Sequence, residues 1–285
     1  MQQAHLTAWQ VHAPWPKRSQ IEQDLRLSRG VAALFEDEVL RAHVAMRGGT
    51  VLHKAHLAPA TRYSEDIDLV LTKAMDPKVL ERHLIRVLAP ALGEPAPSVI
   101  RDAWLALRNV MRPSRILSVK FQFVPLGLTR PETIKVDVNL NEDKSLYPLV
   151  DVALQSMDDD GDLVTANVRS YDINEMLGTK TRALLQRHQG RDLYDLWHAW
   201  TRGQSGSTPY VVDTQKAMHA FAWYLDNEKT RIALPEAETL LDVRLRNASF
   251  RSDMVALPRP GAAAYDVDVA GALVRSAYFA HLPPE

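Results

Sequence analysis

The chain has 285 residues, 46% of them hydrophobic, enough to bury a sizeable core in one or two domains. With 34 Lys and Arg against 35 Asp and Glu the formal net charge is -1, so any nucleic-acid surface has to be local rather than global. The absence of cysteine excludes disulfides, thiolate nucleophiles and cysteine-type zinc sites, and agrees with a reducing compartment.

The N-terminal lead, polar with Trp and Pro, lacks the basic-then-apolar layout of a secretory signal. No apolar run approaches the roughly 20 residues needed to cross a bilayer. A cytoplasmic protein with no membrane segment is expected. Residues 19–40 carry apolar positions at helical spacing (Leu25, Val31, Leu34, Phe35) and predict a helix. HVAMRGG then reads as a short strand ending in a turn, TVLHKAHL as a helix starting just past the glycines, and IDLVL (67–71) as a strand. Residues 77–92 form an amphipathic helix bounded by prolines.

Two strands follow. In 115–124, Leu117, Val119, Phe121 and Phe123 alternate with Ser118, Lys120 and Gln122; in 133–140, Ile134, Val136, Val138 and Leu140 alternate with Lys135, Asp137 and Asn139. LGLTRPE between them suggests a turn, hence a hairpin. From 173 onward the pattern is helical. Strands early and helices late predict an α+β fold, with an α/β core over 1–170 and a helical part over 171–285. The Gly/Ser-rich 203–209 is the alternative boundary.

Period-two alternation puts Asp66 and Asp68 on one face of their strand, and Asp137 on the polar face of its own. If the two strands are neighbours, three carboxylates converge. Like charges so placed are costly without a cation, and oxygen-only ligands suit Mg²⁺ or Mn²⁺ rather than zinc. Such a triad can clamp a triphosphate and help deprotonate a hydroxyl. The small-residue turn Gly48-Gly49-Thr50, entering a helix, can bring backbone N–H groups close to phosphate oxygens. A lone Asp-x-Asp pair is weak evidence; the order glycine turn, short helix, Asp-x-Asp strand and later Asp strand carries the information.

This order resembles the nucleotidyltransferase superfamily of the DNA polymerase β type. RGGTVLHKAHLAPATRYSEDIDL is similar to the AbiEii/AbiGii toxin family, whose members carry GGT…R-[FY]-S-E-D-[IL]-D-[LF], with a long spacer like the fifteen residues between Thr50 and Asp66 here. A second block supports it. On the helix starting at Ile173, Lys180 falls on the apolar stripe of Ile173, Met176, Leu177, Ala183 and Leu184, with Arg187 one heptad later. By spacing alone Lys180 either snorkels at the rim of the core or meets an anion. Gly190 reads as a helix stop, before a helix whose buried stripe is Leu193, Leu196, Trp197 and Trp200. Asp192 sits at the helix start and Asp195 shares its flank. Residues 175–196 match the family block E-[ML]-x-x-x-K-x-x-A-L-x-x-R-x-x-x-R-D-[LF]-Y-D-[LI] almost position by position.

The resemblance implies a polymerase-β-like fold, with a mixed sheet in the α/β core, and a toxin of a type IV toxin–antitoxin pair, restrained by a cognate antitoxin. Such a toxin transfers NMP from NTP to an RNA acceptor, with the tRNA 3′ end the natural candidate, and so blocks growth. It implies that Lys180 contacts the triphosphate together with a following aspartate, Asp195 before Asp192, since Asp192 already has a helix-start explanation. The mechanism expected is metal-dependent. Asp66 and Asp68 hold Mg²⁺ on the triphosphate, Asp137 helps hold a second ion, Gly48, Gly49 and Thr50 cradle phosphates, and Lys180 with Arg187 neutralises the leaving pyrophosphate. Competing classes are a small-molecule (antibiotic-type) or protein nucleotidyltransferase and a non-catalytic nucleotide-binding module. For an RNA backbone, Arg101, Arg108, Arg112, Arg115 and Lys120, with Trp104 interleaved and Asp102 opposing, form a candidate basic patch.

Ser64 lies two residues before Asp66, on the same strand face if the strand reaches back that far. A phosphate there adds charge beside the carboxylates. Phosphorylation or Ser64→Glu is therefore expected to inactivate the protein, read as lost incorporation of labelled nucleotide; an unaltered rate in the Glu variant refutes it.

Overall fold

The structure is a computed structural model describing residues 1–284 apart from 108, 109, 143, 207 and 208; over 103–114 its description is of the backbone alone. The chain divides into two compact units. One comprises Met1–Ala103, Ser114–Ser145 and Leu149–Tyr171; the other comprises Trp104–Pro113, Leu146–Pro148 and Asp172–Glu285.

The first unit opens with helices α1 (Gln3–Trp9), α2 (Arg18–Glu36) and α3 (Glu38–His43). The single helix predicted over 19–40 is thus broken. Asp37 takes an extended backbone, and its carboxylate accepts the Leu40 N–H, stopping α2 and capping α3. Strand β1 (Val44–Arg47) runs into the short helix α4 (Gly48–Val51), which widens into a π-helical turn over Leu52–His56. Then come β2 (Asp66–Leu71), α5 (Pro77–Leu92), β3 (Glu94–Pro95), β4 (Val99–Leu107), β5 (Val110–Phe123), β6 (Glu132–Asn139), β7 (Val150–Met157) and β8 (Leu163–Ser170).

Among the described residues these strands form one mixed sheet in the order β3-β5-β6-β2-β1-β8-β7, with β4 paired to β5. The predicted hairpin is β5–β6, antiparallel. The antiparallel hairpin β7–β8 is not among the predicted elements. The sheet is mixed because β2 pairs with β1 antiparallel and with β6 parallel. One face is apolar: Ile67, Leu69, Leu117, Val119, Ile134, Val136 and Val138 are buried. α2 packs against α5, β7 and β8. In α5, Leu80, Leu84, Leu88 and Leu92 recur every fourth residue and are all buried.

The second unit is helical after its strand tip: α6 (Ile173–Gln186), α7 (Gly190–Gln204), α8 (Thr214–Asn227), α9 (Leu234–Arg246), α10 (Ala248–Ser252) and α11 (Val267–Ala277). Gly190 does not end a helix as expected; it opens α7. A Cβ there would stand 2.2 Å from the Phe250 carbonyl oxygen, so the residue is small because α7 begins against α10. Trp197 and Trp200 are half-buried, while Leu193, Tyr194, Leu196 and Ala199 are buried. Glu175, also buried, accepts N–H bonds from Leu146 and Tyr147 (both 2.9 Å) and the Tyr224 hydroxyl (2.8 Å), tying the segment 146–148 to α6.

One buried charge organises the N-terminal lead. Asp24 on α2 accepts from Trp9 Nε1 (2.8 Å), Trp15 Nε1 (2.9 Å) and Lys54 Nζ (2.6 Å). One carboxylate thus holds both indole donors and the ammonium, which also donates to Ser28 Oγ at 3.0 Å. Asp24→Ala leaves the Lys54 ammonium buried without its counterion, and should cost about 3–5 kcal/mol of stability by chemical denaturation; a loss under about 1 kcal/mol would show that the knot is incidental.

Candidate active site

The carboxylates of the first unit are placed by strand register. β2 and β6 run parallel with Asp68 opposite Asp137 and Asp66 opposite Lys135. Extending the rows, Arg47 on β1 lies opposite Asp68, Ser118 on β5 opposite Asp137, and Lys120 opposite Lys135. Two lines of polar side chains therefore cross the sheet: Arg47–Asp68–Asp137–Ser118, and Asp66–Lys135–Lys120. The apolar residues between them turn to the other face, which is the local reason the sequence alternates as it does.

Each carboxylate is held differently. Ser118 Oγ donates to Asp137 Oδ1 at 2.6 Å, and Arg101 donates to Asp137 Oδ2 at 2.8 Å. Lys135 Nζ lies 3.3 Å from Asp137 Oδ2 and 3.6 Å from Asp66 Oδ2. Asp68 makes neither a side-chain hydrogen bond nor an ion pair among the described residues. Burial pushes Asp66 up to about 6; Lys135 pulls it down, while Asp68, Glu65 and Asp137 push it further up. Lys135 is the mirror case: burial works against its charge, but Asp66, Asp137 and Asp68 hold its pKa above the ordinary lysine value.

The glycine turn serves these side chains directly. Gly48 has φ +87°, a left-handed conformation that favours glycine, and a Cβ on it would stand 2.3 Å from Asp68 Oδ2. A Cβ on Gly49 would meet the buried Arg62 guanidinium at 2.3 Å. Thr50 Oγ1 donates to the Asp66 carbonyl at 2.6 Å and lies 2.7 Å from Ser64 Oγ. Ser64 is not on the strand, which begins at Asp66; it packs on the turn through Thr50.

Lys180, Arg187, Asp192 and Asp195 belong to the second unit and form a cluster of their own. Lys180 Nζ lies 2.7 Å from Asp195 Oδ2 and 3.2 Å from Asp192 Oδ1. Arg187 grips Asp192 with two hydrogen bonds, Nε to Oδ2 at 2.7 Å and a terminal nitrogen to Oδ1 at 2.8 Å. Both aspartates are fully buried and Lys180 is 7% exposed. Lys180 therefore does not snorkel, and Asp195 is not on a solvated flank: the anions that the lysine requires come from α7. Burial raises the Asp192 pKa, but Lys180 and Arg187 outweigh it and hold the group below its usual range.

Sequence reasoning missed Lys135, Ser118 and Arg47. Each looked like an ordinary polar-face residue, and only the pairing of β2 with β1 and β6, and of β6 with β5, brings them to the carboxylates. The described side chains of the expected basic patch do not share one face. Arg101 is spent on Asp137, Arg115 and Lys120 have opposite parity along β5, Arg108 lies outside the described residues, and so do the side chains of Trp104 and Arg112.

The donor chemistry suits a hard divalent cation: oxygen only, with carboxylates from two adjacent strands. Among the described residues no set of three acidic or histidine side chains is gathered closely enough to ligate an ion. Asp66 and Asp137 close on the Lys135 ammonium instead, so ligation requires that head to yield.

The family model described as nucleotidyl transferase AbiEii toxin, type IV TA system, matches residues 31–271. The chain belongs to this family. It is a nucleotidyltransferase toxin of a type IV toxin–antitoxin system. The AbiEii chain also shares its fold with MenT4, a nucleotidyltransferase toxin from Mycobacterium tuberculosis H37Rv: TM-score 0.62, 16% identity, covering 97% of this chain and 88% of that one. JHP933 from Helicobacter pylori aligns over 90% of this chain and 88% of its own, at 14% identity and TM-score 0.45. Comparison with curated protein sequences returns no significant match. No helix among the described residues is long and apolar enough to cross a membrane.

The buried cluster makes a pH-dependent prediction for this AbiEii toxin. A depressed native pKa means that Asp192 contributes stability fully above the ordinary aspartate value near 4, and loses it as pH falls through the native value. Asp192→Asn should lower stability by about 2–4 kcal/mol at pH 7, with the gap to wild type closing in thermal melts only as pH drops below roughly 4. A gap that closes between pH 5 and 7 would show that another group carries the effect.

Proposed function

We propose that this AbiEii toxin transfers a nucleotide from an NTP to an RNA 3′ end, tRNA being the natural acceptor, in a metal-dependent reaction in the cytoplasm. The observation that carries the reading is the register of β2 with β6, which sets Asp68 opposite Asp137 with Asp66 two residues away on the same face. Asp66, Asp68 and Asp137 would hold Mg²⁺ or Mn²⁺, which supplies neutralisation of the triphosphate and acidification of the acceptor hydroxyl.

The chain's own part is positioning and charge. Ser118 and Arg101 fix the Asp137 carboxylate so that it accepts or orients the acceptor hydroxyl proton. The backbone N–H groups of Gly48, Gly49 and Thr50 are the phosphate cradle of this reading, while the missing side chains of the glycines admit Asp68 and Arg62. Lys180, Arg187, Asp192 and Asp195 are kept as residues that the reaction requires, following the family pattern. Lys180 has one N–H donor more than its two aspartate contacts use.

The test is to incubate the purified protein with each labelled NTP, Mg²⁺ and total RNA. Label is expected on tRNA, and Asp66→Ala and Asp68→Ala should each cut incorporation by at least about 10²-fold while melting as cooperatively as wild type. Lys180→Met should also lose incorporation, by more than its loss of folded fraction explains. Wild-type labelling in the Asp66/Asp68 double variant would sink the reading, and label on protein or a small molecule would move the acceptor.

A further inference from the structure

Lys135 stands in a carboxylate row, opposite Asp66, and no family pattern quoted above includes it. Its ammonium bridges Asp66 Oδ2 and Asp137 Oδ2, one oxygen from each of two strands. Across β5 its registered partner is Lys120, an exposed lysine with no ion pair among the described residues. Lys120 therefore offers the Lys135 head no anion on the β5 side, and the ammonium lies on the aspartates. Arg101 already occupies Asp137 Oδ2 from β4, and Ser118 occupies Oδ1. A divalent ion drawing on Asp66 and Asp137 therefore has to displace a cation that is tethered to the same sheet, whereas Asp68 offers its oxygens unopposed.

We propose that Lys135 is a built-in competitor for the metal, setting how tightly the carboxylate site takes up a divalent ion. The inference rests on the metal-dependent reading given above. The residue acts through Asp66 and Asp137 rather than on the reacting atoms, and is a positioning residue. Its effect comes from contact with two ligand oxygens, so it should exceed that of a lysine such as Lys120, which adds positive potential without touching them.

The test is a titration of the full chain with Mn²⁺, counting free ion by paramagnetic resonance, with thermal midpoints in EDTA and in Mn²⁺ as a second readout. Lys135→Met is expected to bind Mn²⁺ at least about tenfold more tightly than wild type, with Lys120→Met within about twofold. Its midpoint should fall in EDTA and rise more than wild type's when Mn²⁺ is added, because the bared carboxylates then have only the ion. Lys135→Arg, which keeps the charge, should stay near wild type and serves if the Met variant does not fold. Equal or weaker binding by Lys135→Met, a matching gain in Lys120→Met, or a tenfold gain in Lys135→Arg overturns the proposal and leaves the metal-dependent reading standing. Absence of Mn²⁺ binding by wild type and all variants, alike with Asp68→Asn, overturns both.

Discussion

Repulsion among Asp66, Asp68 and Asp137 is the constraint around which the first unit is arranged. Side chains opposite one another on paired strands sit about 5 Å apart, and at that range two like charges repel. What holds them together is the reverse face of the same strands. Ile67 and Leu69 on β2, and Val136 and Val138 on β6, are buried, and a slip of one residue would put them in water. The hydrophobic core thus fixes the register, and the register imposes the charge density. Lys135, Arg101 and the Ser118 hydroxyl then temper it from the flanks.

The helical unit manages charge by the opposite route. Lys180, Arg187, Asp192 and Asp195 balance one another, with both aspartates removed from solvent. Desolvation of such a cluster is expensive, and pairing recovers the cost only if every oxygen is engaged. The bidentate Arg187 grip on Asp192 does so while leaving Lys180 to span both acids. One set of ionised groups is half-open and unbalanced; the other is charge-balanced, with both aspartates and Lys180 buried.

Much of this was legible in the sequence, and the reasons are specific. β5 and β6 announce themselves by alternation because each has one buried face, β2 by an apolar run behind its paired aspartates, and α5 by its leucine spacing and its proline start. The convergence of Asp66, Asp68 and Asp137 followed from parity alone once those strands were taken as neighbours. Parity does not say which polar residue faces which. Lys135 was indistinguishable from Lys120 until register put one on the aspartates and left the other in solvent. Asp24 was hidden for a different reason: a carboxylate inside an apolar helical stripe gives no hint of donors 15, 9 and 30 residues away. Lys180 shows the converse. Its demand for an anion was readable, but the suppliers sat on the next helix of the same chain.

The tie between Glu175 and the segment 146–148 has a consequence for how the chain can be divided. The helical unit is not a sequence segment; it includes 104–113 and 146–148 as well as everything from Asp172. A fragment cut at Tyr171 would carry a buried glutamate stripped of two of the three donors that solvate it. Its helices would be intact on paper yet short of a lining drawn from the middle of the sheet region. Shuffling such helical parts between related toxins would have to carry those two inner segments along, so the portable piece is a discontinuous one.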